Sequence, residues 1–95
     1  MSLVDVERQN SIITLVRKAR DHARREEYAL ALDRYLEAWE LLPEPREAWD
    51  TSTYILAGVG DVLRARGDLA RAMEVLLAAQ GRTARFALRE AISRD

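Results

Sequence analysis

Apolar side chains recur along this chain at three- and four-residue steps, and no stretch alternates as a half-buried strand does. The spacing predicts a long first helix from Asp5 to Glu26 on Val6, Ile12, Ile13, Val16, Ala19 and Ala23. A second, from Tyr28 to Leu42, carries a denser stripe of Tyr28, Ala31, Leu32, Tyr35, Ala38, Trp39 and Leu42. Pro43 ends it, because the residue before a proline is pushed out of helical geometry, and Pro45 suits the first position of a third helix running to Arg66. A fourth spans Leu69 to Gln80, closed by Gly81. A fifth, from Thr83 to about Ser93, buries Ala84, Ala87, Leu88, Ala91 and Ile92 and turns Arg82, Arg85 and Arg89 outward.

The stretch from Ala65 to Ala72 organises the rest. Gly67 can take the left-handed conformation that closes one helix, and the Asp68 carboxylate can accept from the free amides that open the next. Setting Tyr28 on Leu69 places Ala31 on Ala72, Tyr35 on Leu76, Ala38 on Ala79 and Ala19 on Gly60. The chain thus repeats itself at a spacing of 41 residues. Small residues at Ala19, Ala31, Gly60 and Ala72 fit a close helix crossing that excludes larger side chains.

This order of helix, tight turn and helix resembles the tetratricopeptide repeat family. Ala31, Tyr35, Ala38 and Pro43 match the second half of its pattern, and Gly60, Gly67, Asp68, Leu69, Ala72, Leu76 and Ala79 match the second copy. The family's first-helix tryptophan is Leu15 in one copy and Leu56 in the other, and its usual aromatic is His22 and Leu63. The resemblance implies an all-α fold of antiparallel helix hairpins, stacked as a short right-handed TPR-like solenoid with a C-terminal capping helix. Residues 1–95 form one domain, with degenerate repeats at about 12–45 and 53–86 and the cap at about 83–93. The string Leu42-Pro43-Glu44-Pro45, with Trp49, Ser52, Tyr54, Ile55, Leu56, Gly60 and Asp61, is similar to small stand-alone bacterial repeat proteins.

The two copies lie about seven residues further apart than the family spacing of roughly 34, close to two helical turns, so the insertion extends a helix without rotating its buried face. Trp49, Thr53, Leu56, Gly60 and Leu63 keep to one face of the third helix. The first helix has a matching overhang, and Val4 and Val6 are expected to pack against a buried Trp49. Core packing is the expected role of Trp39 as well.

Composition narrows the function. Cysteine is absent, which removes disulfides, thiol nucleophiles and cysteine metal sites. No apolar run approaches the roughly 20 residues of a membrane span and no signal-peptide pattern opens the chain, so a cytoplasmic protein is expected. Met1-Ser2-Leu3 carries no part of this reading. His22 with Glu26 one turn on is too small a set to hold a metal tightly, and it serves none of Ser11, Ser52 or Ser93 as a catalytic base by pattern. No enzyme, metal or cofactor is expected. Arg66-Gly67-Asp68 spells an adhesion tripeptide, but the backbone of the joint already requires its Gly and Asp.

Net charge is -1, yet it is unevenly spread. From Leu15 to Arg25 five bases face one acid; from Glu26 to Asp50 eight acids face two bases. Pairing of the first two helices is expected to neutralise or solvate this asymmetry. Arg17, Arg20 and Arg24 form a stripe at steps of three and four. The family resemblance implies that the first helix of each hairpin lines a concave groove, which sets Ile13, Val16, Arg17, Arg20 and Arg24 beside Tyr54, Ala57, Asp61 and Arg64. That implies a protein or peptide partner with an acidic segment, held by bidentate arginine contacts. Lysines and asparagines for a carboxylate clamp are missing. Two other classes stand beside it. One is self-assembly as a homodimer, through the apolar edge of the first helix or the outer face of the last. The other is nucleic-acid binding by the arginines, which the charge does not favour.

Overall fold

The structure is a computed structural model that describes residues 3–43, 50–80 and 88–93. The described residues are helical apart from the joints: α1 (Leu3–Arg24), α2 (Tyr28–Leu41), α3 (Asp50–Ala65), α4 (Leu69–Ala79) and α5 (Leu88–Ser93). Helix α1 packs chiefly on α2 and α3 chiefly on α4, while α2 joins the two hairpins through α3. Helix α5 rests on α4 and α2, and α1 touches α3 lightly.

One core runs through both hairpins. The α2 stripe is buried, including Ala31, Leu32, Tyr35, Ala38 and Trp39, and it closes with Leu42 at 5% exposure. Leu36, outside the expected stripe, is buried too. Helix α3 contributes Ile55, Leu56, Val59, Val62 and Leu63, and α4 contributes Ala72, Val75 and Ala78. The α1 stripe is thinner: Ile12 and Ala19 are buried, whereas Val6 and Ile13 lie on the surface. Close crossing has a direct measure at Gly60, where a methyl group would stand 2.6 Å from Leu76 Cδ2. The smallness at this position is therefore a packing requirement.

The two joints have the same hydrogen bonds at the 41-residue spacing. Glu27 N donates to His22 O at 2.9 Å, and Asp68 N to Leu63 O at 2.8 Å. Glu26 N donates to Ala23 O and Gly67 N to Arg64 O, at 3.1 and 3.0 Å. Both turns place the second residue after the helix in the left-handed region, Glu26 at φ 62° and Gly67 at φ 88°. Only the second has the residue types such a joint favours. Asp68 caps α4 by accepting from Arg71 N at 3.4 Å, while Glu27 makes no side-chain cap for α2. The Glu27 carboxylate instead meets His22 Nδ1 at 3.1 Å.

Helix α1 begins two residues ahead of the expected start and ends two before the expected end, because Glu26 takes positive φ. The expected contact between overhangs rests on Trp49, which lies outside the described residues, as do the expected starts of α3 and α5 and the closing Gly81. Its described contributor, Val6, is 39% exposed. In α5, Leu88 and Ala91 are buried as expected, and Arg89 does not simply face water: its Nε donates to Glu40 Oε1 at 2.8 Å and ties α5 to α2. Among the described residues no helix is long and apolar enough to cross a membrane.

Candidate partner-binding surface

All nine residues expected to line a groove reach the surface. Arg17, Arg20 and Arg24 are exposed along α1, with Ile13 42% exposed and Val16 half-buried. On α3, Tyr54 is 76% exposed, Ala57 is half-buried, and Asp61 and Arg64 are exposed. An aromatic ring left so open on a helix whose other face fills the core is available for contact rather than for packing.

The link between the two helices is Tyr35 of α2. Its ring is buried and lies against the backbone of Gly58 on α3, where a methyl group would sit within 2.4 Å of the ring and hydroxyl. Burial pushes the Tyr35 phenol up from its ordinary pKa; the Arg20 charge lowers it in part and Asp61 raises it further. A residue of α1 and a residue of α3 thus lie within electrostatic reach of one phenol. The repeat pattern does not single out Gly58. A signal was there, since a glycine inside a helix costs about 1 kcal/mol relative to alanine and marks a close approach.

The arginines differ in what they hold. Arg24 Nη1 donates to Asp21 at 3.2 Å, and Arg64 Nη2 to Asp61 at 2.8 Å, each one turn away on its own helix. Among the described residues Arg17 and Arg20 form no ion pair. The expected neutralisation of α1 by α2 does not occur through pairs between them. Two of the three acids of α2 are engaged elsewhere, Glu37 by Arg34 at 2.9 Å and Glu40 by Arg89, and the third, Asp33, is exposed. One of these pairs is a turn apart on α2 itself and the other bridges α2 to α5, so neither draws on the bases of α1. The basic face of α1 is left solvated.

His22, half-buried, is held by Glu27, and among the described residues no cluster of His, Asp and Glu could hold a metal ion. A depression of about 400 Å³, lined by Asn10, Ser11, Thr14, Leu15 and Lys18, draws its walls from one helix and has no opposing side. The exposed groups on these two helices are the guanidinium forks of Arg17 and Arg20, able to donate two parallel hydrogen bonds to a carboxylate, and the apolar area of Ile13 on α1 and Tyr54 on α3. Comparison with family models, with curated proteins and with solved structures finds no match to this chain.

Proposed function

We propose that this chain is a non-catalytic protein–protein interaction module, a short right-handed tetratricopeptide-like stack whose α1 and α3 receive an acidic, partly apolar peptide segment. The observation that carries the reading is the sorting of the arginines. Arg24 and Arg64 are occupied by neighbours on their own helices, whereas Arg17 and Arg20 keep their donors for a carboxylate that comes from outside. A guanidinium fork matches a carboxylate in two parallel hydrogen bonds, and Ile13 and Tyr54 add contact area at which an aromatic can anchor a partner. The matched hydrogen bonds at the two joints and the small residues at the crossings support a repeat of helix hairpins.

Selection of peptides from a random display library on the intact protein tests this. The expected sequences place Asp or Glu next to aliphatic or aromatic residues, and selection on the Arg17→Glu/Arg20→Glu variant loses the acidic preference. Peptides without acidic enrichment, or the same peptides from both proteins, would refute the groove.

A further inference from the structure

The exposed arc of α4 carries no charge. Leu69 is 64% exposed, Met73 62% and Leu77 38%, at successive four-residue steps, with Ala70 and Gln80 exposed between and beyond them. Arg71 and Glu74, the charged residues of α4, lie on its flank, where Arg71 bonds to Asp68 and to Ile92 O. In a chain whose residues are one-third charged, an open helix face of this composition is exceptional.

The 41-residue correspondence says what kind of surface it is. Its counterparts on α2 are Tyr28, Ala29, Leu32, Leu36 and Trp39, of which Leu32, Leu36 and Trp39 are buried and Tyr28 half-buried. Helix α2 has a helix on either side, α1 and α3. On α4 the same arc is open. The opposite end of the molecule is finished differently. The buried α3 positions Ser52, Ile55, Val59 and Val62 have as counterparts Ser11, Thr14, Lys18 and Asp21 on α1, all exposed and all polar. That polar flank does not complement α4 as the apolar face of α3 complements α2, so the stacking of hairpins does not continue from one copy to the next. Two copies can cover both open arcs at once only about a two-fold axis.

We infer that α4 is the interface of a symmetric homodimer, with the Leu69, Met73 and Leu77 ridge of one copy against that of the other. Antiparallel pairing puts Met73 against Met73 at the axis and Leu69 against Leu77. Methionine suits the self-contact, because its flexible thioether fills an irregular gap. The absence of charge on the arc lets two identical surfaces meet without like-charge repulsion or a desolvated ion. Three large side chains per copy fall short of the roughly 800 Å² per partner of a standard stable complex, so the dimer is weak, with a dissociation constant of roughly 10 µM to 1 mM. This face is separate from the arginines of α1.

Sedimentation equilibrium of the full chain from roughly 1 µM to 1 mM is the test. The wild type is expected to pass from 10.8 kDa to twice that mass and no further. Met73→Glu and Met73→Lys, each alone, weaken dimerisation by more than roughly tenfold, because the axis sets like charges together. Mixed in equal amounts, the two variants recover a heterodimer. Both variants change an exposed position, so circular dichroism of the dilute proteins should match the wild type. A wild type that is monomeric throughout overturns the inference, as does a dimer that ignores the Met73 charge, a mixture that fails to associate, or growth beyond the dimer.

Discussion

Replacing Glu26 by glycine should stabilise the protein, a gain that the contacts of Glu26 do not reveal. Glu26 sits at φ 62°, where a β-carbon crowds the following carbonyl at a cost of about 1 to 2 kcal/mol. Glycine removes that cost but loses more freedom on folding, worth about 0.5 to 1 kcal/mol. Among the described residues the Glu26 side chain has no bonded partner to lose. The gain is therefore centred at about 0.75 kcal/mol within a span of about 0 to 1.5, and the central value is a rise in melting temperature of about 3 to 6 °C for a domain of this size. The second joint supplies the reverse experiment. Gly67 has φ 88° and nothing within 4 Å of a β-carbon, so Gly67→Ala meets no clash, and its cost of about 1 kcal/mol is conformational alone. Thermal and urea unfolding followed by circular dichroism reads both. A Glu26→Gly variant less stable than wild type, or a Gly67→Ala variant unchanged, would show that the two joints do not share one backbone geometry.

Gly58→Ala should cost about 1 to 3 kcal/mol through its collision with the Tyr35 ring, and Tyr35→Leu in the same chain should recover part of it; equal losses with and without Tyr35 would sink the contact. The Tyr35 phenol is raised from its ordinary value of 10.0 chiefly by burial, so the folded state holds its proton more tightly than the unfolded chain does. Stability from this group is complete below pH 10 and is lost as pH climbs through the higher folded value. Urea midpoints measured across that range should fall less steeply for Tyr35→Phe than for wild type.

How much of the fold was readable depends on how local the physics is. The Gly67–Asp68 joint was legible because a left-handed closer and a capping carboxylate are single-residue requirements. Its twin was legible only through the 41-residue register, since Glu26 and Glu27 carry neither signature. The α2 stripe could be read because its helix is packed on both sides, which buries Leu36 as well. Helix α1 has a neighbour on one side chiefly, so Val6 and Ile13 follow the period yet stay exposed. The nine residues expected at a groove all reach the surface, but the division of the arginines could not be read, because it depends on the rotamers in which Asp21 and Asp61 meet Arg24 and Arg64. Of the two outcomes expected for the charge of α1, neutralisation or solvation, Arg17 and Arg20 show solvation, since among the described residues no acid of α2 pairs with them.

Affinity for an acidic peptide, measured by fluorescence anisotropy on wild type and charge-reversed proteins, tests the central claim most directly. The probe is a labelled peptide that alternates glutamate with leucine, and its control is the same sequence with lysine for glutamate. Binding of the acidic peptide should weaken at least roughly tenfold in Arg17→Glu/Arg20→Glu, because two charge-assisted hydrogen-bond donors are replaced by repelling carboxylates. It should weaken much less in Arg24→Glu, whose guanidinium already holds Asp21. The lysine peptide should reverse the order and prefer the double variant. Equal affinity of both peptides for wild type, or a loss at Arg24 as large as that at Arg17 and Arg20, would contradict the account.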